Sequence, residues 1–372
     1  MPAGIYVHIP FCLSKCSYCD FYSIVGDGKL IDDFVTALLV EIDLLAASRW
    51  QNRVYNTVYF GGGTPSLLTP EKIGGILKCL RQAFNITPNA EISLEANPES
   101  ANLSALEALR ECGINRLSIG IQSLNDNLLR ALGRIHNAET ARRALSDALE
   151  AGFENVNADL IFAIPGQSVS GWRNDLEEIA DGGPAHISAY GLTIEKGTPL
   201  EKNINEGKVI PVDSDTQAEM YLALNEIMSK HGYKRYEVSN FARPGFECRH
   251  NLKYWTDKKY LGLGPAAHTF DGDRRSANFK NVAKYISLLK SGKLPVGFRE
   301  RLSDEQKAGE RLMMGLRTVG GVSLDSVSQV LDTAALAELQ QRGYVSNGGG
   351  NISLTDSGFL LADEVIVKLL RG

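Results

Sequence analysis

Apolar residues in the first half of the chain recur in two alternating rhythms. Short runs rich in β-branched and aromatic residues begin at Gly4 (GIYVHIP), Thr57 (TVYFGG), Glu91 (EISLEAN), Arg116 (RLSIGIQS), Asn155 (NVNADLIFAI) and His186 (HISAYGLTI). Between them, apolar residues return at three- and four-residue steps from Ile31, Pro70, Ser104 and Thr140. The first rhythm predicts strands and the second predicts helices packed on a sheet. Strands separated by helical crossovers imply a parallel α/β sheet with right-handed connections. In such a sheet, ligands gather at the carboxyl ends of the strands.

Past the sixth strand the rhythm changes. DTQAEMYLALNEIMSKHGY, from Asp215, predicts one long helix, followed by an irregular stretch in which Pro295 and Gly297 mark a linker. Helical patterns then alternate with a hairpin around Gly348 to Gly350, the order of a small winged-helix-like domain. Without a concentrated basic helix, that domain reads as a docking or structural unit. The chain thus divides into a barrel over 1–198, an extension covering it over 199–297, and the C-terminal domain over 298–372.

Composition narrows the class. Hydrophobic residues make up 44% and charged residues 22%, with a net charge of -5. A dedicated nucleic-acid binder would carry a basic surplus, so that class is set aside. No apolar stretch is long enough to span a bilayer, and a cytoplasmic protein is expected. Six cysteines without a signal-like segment do not suggest a secreted disulfide framework.

Half of those cysteines fall in one run, HIPFCLSKCSYCDF, directly after the first strand. Cys12, Cys16 and Cys19 can each hold one corner of a cubane iron-sulfur cluster, which for plain electron transfer takes four cysteines. The fourth iron is then open to chelate a small molecule. A zinc site is the competing reading, but it wants a fourth ligand, and His8 lies on an extended segment outside the loop.

The other strand ends also carry polar chemistry. Gly61, Gly62, Gly63, Thr64 and Pro65 follow the second strand, and consecutive glycines let backbone N–H and C=O groups approach a ligand's ammonium or carboxylate. Glu95, Gln122 and Asp159 alternate with apolar neighbours on the third, fourth and fifth strands and are expected to point into the barrel. Arg134 offers a planar fork for a ligand carboxylate, or for an internal pair with Glu95.

Together, the CxxxCxxC loop, GGGTP, LEANPES, GIQS and DLIFAIPGQS resemble the radical S-adenosylmethionine (SAM) superfamily, and within it the oxygen-independent coproporphyrinogen dehydrogenase-like family with its haem chaperone branch. The resemblance implies a partial (β/α)6 radical SAM barrel carrying a [4Fe-4S] cluster on Cys12, Cys16 and Cys19, with SAM on the open iron. It implies that Tyr6 contacts SAM beside the cluster and that Tyr18 packs near the adenine. Gly62, Gly63 and Thr64 would receive the methionine amino group, Arg134 its carboxylate, and Glu95 and Gln122 further polar atoms. Asp159 would hold the ribose or a neighbouring polar atom, with Ile161 against the adenine.

Two departures separate the branches. Where the dehydrogenases carry a further cysteine, two residues past the last cluster ligand, this chain has Phe21. They also precede the first barrel strand with a long extension, whereas here the strand begins within a few residues of Met1. RHNLKYW, from Arg249 to Trp255, resembles the HNxxYW signature of the chaperone branch. His250 would ligate haem iron, Tyr254 and Trp255 would lie against the porphyrin, and Arg249 and Lys253 would meet propionates. The competing reading makes His250 a turn cap and the two aromatics interdomain filling.

The resemblance therefore implies a haem chaperone that carries haem, a [4Fe-4S] cluster and exchangeable SAM, and that passes haem to acceptor haemoproteins. The expected acceptors include respiratory proteins, with peripheral membrane association through them and a homodimer when the cluster is loaded. The alternative is a radical SAM oxidative decarboxylase of coproporphyrinogen III or a related tetrapyrrole.

Overall fold

The computed structural model describes residues 2–371. The six expected strands form at β1 Ala3–Ile9, β2 Val54–Gly62, β3 Asn85–Ala96, β4 Arg116–Gln122, β5 Asn155–Phe162 and β6 His186–Gly191. Each pairs in parallel with the next. Helices α1 Gly28–Ala46, α2 Pro70–Ala83, α3 Leu103–Glu111, α4 Asp126–Leu132, α5 Ala138–Glu150 and α6 Val169–Asp181 occupy the crossovers. Their starts are set by side-chain caps: Asp27 accepts from the Leu30 N–H, Asn137 from Thr140 and Ser168 from Gly171.

Side chains leave a strand alternately to its two faces. Ile5, Val7, Ile9, Val58, Phe60, Ile92, Leu94, Leu117 and Ile119 take one parity and join the helices in a continuous apolar core. The other parity carries Tyr6, His8, Thr57, Tyr59, Glu91, Glu95, Arg116, Ser118, Asn157 and Asp159, which line the inside of the curved sheet. The barrel is thus apolar outside, under its helices, and polar within.

The extension is woven into the same sheet. After α7 Pro199–Asn205 and α8 Ser214–Lys230, the short strand β8 Asn240–Ala242 adds antiparallel to β6, and β7 Lys234–Arg235 adds antiparallel to β8. Trp172 of α6 is fully buried against α8, its indole N–H donating to the Met220 carbonyl at 3.0 Å. After α9 Asn251–Trp255, β9 Tyr260–Leu263 pairs in parallel with β1, followed outward by β10 His268–Phe270, β11 Arg274–Asn278 and, beyond α10 Val282–Lys290, β12 Val296–Arg301. The result is a 12-stranded sheet.

These outer strands correct the reading of Pro295 and Gly297 as a linker. Gly297 lies within β12, where a Cβ would stand 2.8 Å from the Phe279 ring, so the glycine admits that ring across the strand. The main sheet therefore runs through Arg301, past the expected division at 297. Beyond it, α11 Asp304–Gly315, α12 Leu324–Val327, α13 Thr333–Gln341, α14 Asp356–Leu360 and α15 Ala362–Leu369 surround a three-stranded sheet of β13 Val322–Ser323, β14 Val345–Gly348 and β15 Asn351–Leu354. This is the winged-helix-like domain, with its hairpin at the expected glycines. Among the described residues, no helix is long and apolar enough to cross a membrane.

One buried carboxylate locks the outer strands to the barrel. Glu41 of α1 accepts from Tyr285 Oη at 2.6 Å, Asn278 Nδ2 at 2.7 Å and the Gly264 N–H at 2.8 Å. Burial pushes its carboxyl above the usual range. Replacing it with Leu leaves three donors without their acceptor, and each orphaned buried group costs about 1–3 kcal/mol. Glu41→Leu should therefore lower stability by about 2–4 kcal/mol, read from the urea midpoint. An unchanged midpoint would contradict this role.

Candidate functional site

The cysteine run leaves β1 as a loop fixed at several points. The Cys12 N–H donates to the Ile24 carbonyl at 3.0 Å, and Ile24 N–H returns to Pro10 at 2.8 Å, closing the loop's base. Farther along, the Ser17 N–H donates to Leu132 at 3.1 Å at the end of α4. Gly133 then turns with φ +74°, and a Cβ there would sit 3.3 Å from the Ser17 nitrogen. Its glycine meets both the left-handed backbone and the close approach of the loop.

All three cysteines are free and half-buried. Thr64 Oγ1 points at Cys12 Sγ at 3.6 Å, and Arg134 Nη1 points at Cys16 Sγ at the same distance. The Cys19 thiol is pushed up first by burial and also by Cys16 and Cys12, so the sulfurs share one electrostatic neighbourhood. Among the described residues, no three His, Cys, Asp or Glu side chains form a group able to hold a single metal ion. A cubane makes a different demand, one thiolate on each of three irons, together with donors and positive charge near the sulfurs. The loop's residues fit that demand.

Around the loop, the strand ends assemble the polar residues singled out by the sequence. Glu95 accepts from Tyr59 Oη at 2.9 Å and from the Gly62 N–H at 3.0 Å. Gly62 has φ +114°, and Gly63 packs so tightly that a Cβ would stand 2.5 Å from the Phe11 carbonyl oxygen. Gln122 closes β4 with φ +67°, a left-handed conformation costing an L-residue about 1–2 kcal/mol. Facing it, Gly120 leaves a cradle: a Cβ there would meet Gln122 Nε2 at 2.9 Å and both Arg134 Nη2 and Asn97 Oδ1 at 3.1 Å.

Arg134 does not pair with Glu95. Its Nη2 donates to Asn97 Oδ1 at 2.7 Å and to the Gly120 carbonyl at 2.9 Å. Asn97 Nδ2 in turn donates to Thr64 Oγ1 at 3.1 Å. Asn97 thus ties together the second strand's loop, the third strand and Arg134, a role the sequence reading missed. Its position two residues after Glu95, just past the end of the third strand, was the available signal.

Asp159 lies deeper, accepting from Ser118 Oγ at 2.9 Å and Asn157 Nδ2 at 2.8 Å. Burial raises its carboxyl against those two bonds. Tyr18 and Ile161 come together in a small apolar cluster with Leu128, Leu132 and Ile164. The half-buried polar ring and this apolar patch fit the two ends of a nucleoside-bearing amino acid such as SAM.

The HNxxYW segment is placed differently from its expected role. His250 is 0% exposed and closes the barrel interior toward the amino ends of the strands. Its Nδ1 pairs with Thr57 Oγ1 at 2.8 Å and its Nε2 with Tyr254 Oη at 2.9 Å, while its ring stacks on Tyr59. Burial holds the imidazole down at about 3. The enclosed ring therefore does not present a free nitrogen to a haem. Arg249 donates to the Asn56 and Asn89 carbonyls and Lys253 to Asn56 Oδ1, so both expected propionate partners are already engaged. Trp255 is half-buried.

Tyr254 has another side. With Tyr6, His8, Asp20, Phe21, Tyr22, Tyr260, Ala266, His268 and Lys280, it lines a cavity of about 410 Å³. The cavity joins the end of the cysteine loop to the HNxxYW segment and the β9–β10 turn. At 67% exposed, Phe21 is a large apolar surface on its wall. Tyr22 was not assigned to a site from sequence, and neither were Tyr260, His268 and Lys280, which only the outer part of the sheet brings to the cysteine loop.

Residues 6–181 match the radical SAM superfamily, and 302–361 match the HemN C-terminal domain. The chain is 37% identical to the "Heme chaperone HemW" of Mycobacterium tuberculosis, over 99% of this chain and 95% of that one. To that of Bacillus subtilis it is 32% identical, over 98% of each. It is also 34% identical to the mitochondrial "Radical S-adenosyl methionine domain-containing protein 1" of Danio rerio, over 99% of this chain and 87% of that one. Among solved structures, the coproporphyrinogen III oxidase HemN of Escherichia coli superposes with a TM-score of 0.86 at 26% identity, covering 99% of this chain and 89% of that chain.

Two outcomes follow from the geometry. In anaerobically reconstituted protein, Cys16→Ala should lose the cubane absorption while Cys79→Ala retains it; a cluster surviving in the first variant would contradict the ligand set. Glu95 is pushed up to about 7, chiefly by burial. It is protonated below that pH and charged above it, so its power to accept hydrogen bonds from SAM's polar atoms, and with it SAM affinity, should rise between about pH 6 and 8. Glu95→Gln should flatten the rise in equilibrium SAM binding, and an unaltered profile would remove Glu95 as a SAM contact.

Proposed function

Because the chain belongs to the heme chaperone HemW family of radical SAM proteins, we propose that it binds haem and delivers it to acceptor haemoproteins, carrying a [4Fe-4S] cluster on Cys12, Cys16 and Cys19 with SAM beside it. The carrying observation is the aromatic cavity between the cysteine loop and the HNxxYW segment. Tyr6, Phe21, Tyr22, Tyr254 and Tyr260 give it flat faces of the kind a tetrapyrrole packs against, and its volume lies within the range of about 300–1,000 Å³ usual for ligand sites. Exposed Phe21, His268 and Lys280 keep its rim open to solvent, as loading and release of cargo require.

When bound, the cluster and SAM supply one-electron chemistry and a chelated ligand at the open iron. The chain's own residues do the holding. Glu95 and the Gly62–Thr64 backbone receive an ammonium, Arg134, positioned by Asn97, meets a carboxylate, and Tyr18 with Ile161 covers an apolar ring. Tyr6 lines the cavity and stacks on Tyr59, whose hydroxyl binds Glu95, so SAM and cargo sit at two ends of one contact chain.

The radical SAM decarboxylase remains the second reading, favoured by the close superposition on HemN. Phe21 and the HNxxYW segment favour the chaperone. Anaerobically reconstituted protein should form a stoichiometric Soret-band species with haem and leave coproporphyrinogen III unchanged in the presence of SAM and reductant. Decarboxylation of coproporphyrinogen III would overturn the chaperone reading, as would the absence of a saturable haem complex.

A further inference from the structure

The chain has six histidines. His8 pairs with Tyr6 Oη and the Tyr22 carbonyl, His136 with the Ile121 carbonyl, His186 with Asn157 and Tyr236, His231 with Glu177, and His250 with Thr57 and Tyr254. His268 is different: it is exposed on the cavity wall, and among the described residues no hydrogen bond or ion pair engages its ring.

Its backbone, by contrast, is firmly held. His268 opens β10 and pairs with Ala277 of β11. The turn before it runs through Gly264 at φ +93° and Ala266 at φ +63°. Glu41 holds the Gly264 N–H, Asn278 Nδ2 donates to the Gly264 carbonyl at 2.9 Å, and the Asn278 N–H donates to Ala267 at 3.0 Å. Across the hairpin, the His268 carbonyl oxygen lies 2.0 Å from where a Gly262 Cβ would stand, so only glycine admits it. A free imidazole on a fixed backbone, beside flat aromatic faces, is the arrangement an iron site needs.

Resting on the haem-binding reading above, we infer that His268, rather than His250, supplies the axial ligand to the iron of a haem held in this cavity. The macrocycle lies against Tyr254, Tyr260 and Phe21, and Lys280 at the rim, whose Nζ stands 6.0 Å from the Tyr22 ring, provides a cation for a propionate. Partial desolvation by the side chains around it, and then Arg275, hold the imidazole below its usual value, which favours the neutral form that coordinates iron.

The test compares ferric haem with metal-free protoporphyrin IX on the cluster-reconstituted full chain and its His268→Ala variant. Loss of the imidazole should weaken haem binding about 10- to 100-fold and change the Soret position and low-temperature EPR signature, with free imidazole restoring both. Binding of the metal-free porphyrin should stay the same, because the aromatic walls are untouched. Unchanged haem spectra and affinity in the variant, with wild type binding normally, would overturn the ligand assignment alone. An equal loss for both porphyrins would do so too, by making His268 a wall contact. A wild-type protein that binds no haem would overturn the underlying chaperone reading.

Discussion

Glu91 sits on the inward face of β3, where a carboxylate is affordable only if donors reach it inside the sheet. Its two oxygens accept from the backbone N–H groups of Arg249 and His250, each at 2.9 Å. Arg116, buried at the start of β4, adds a positive charge nearby. This interaction draws a segment from late in the sequence across the barrel's floor. The placement of His250 and Tyr254, and the passage onward to β9, follow from it. Gly4 makes the docking possible, since a Cβ there would stand 2.9 Å from the Lys253 side chain and 3.0 Å from the His250 ring.

The polar interior has a second consequence. Glu95 binds Tyr59, Tyr59 stacks on His250 with ring centroids 5.2 Å apart, and His250 binds Tyr254 on the cavity wall. Tyr6 stacks on Tyr59 and lines the same cavity. The HNxxYW histidine thus belongs to the scaffold between the polar strand ends and the aromatic cavity. A side chain with both ring nitrogens satisfied and its charged form suppressed by burial is suited to fixing neighbours in place.

The cysteine loop depends on the opposite kind of support. It sits at the rim, half-buried, and its positions are set by backbone hydrogen bonds to Ile24 and Leu132 and by the side-chain donors Thr64 and Arg134. Those donors come from two different strand ends, tied to each other by Asn97. The loop is still anchored to the apolar core, since Phe11 is buried in it and Tyr22 and Ile24 pack against it.

The barrel strands were legible because period-two burial is a local property: each strand writes its inside and outside faces into consecutive residues. The grouping of the three thiols was legible for a related reason, since one short loop carries them all. The outer strands were not, because β9 to β12 are short and partly charged, RRSAN among them, and gain their pairing from an edge that β1 leaves open. His250 and His268 show the same limit most clearly. From sequence, the histidine inside a signature was the candidate ligand and His268 was given no part in a site; the fold encloses the first and leaves the second free on the cavity wall. The sequence by itself determined the barrel, the cysteine loop and the polar strand ends, while only the tertiary structure decided which imidazole is enclosed and which lines the cavity, because burial and hydrogen-bond satisfaction depend on residues far apart in the chain.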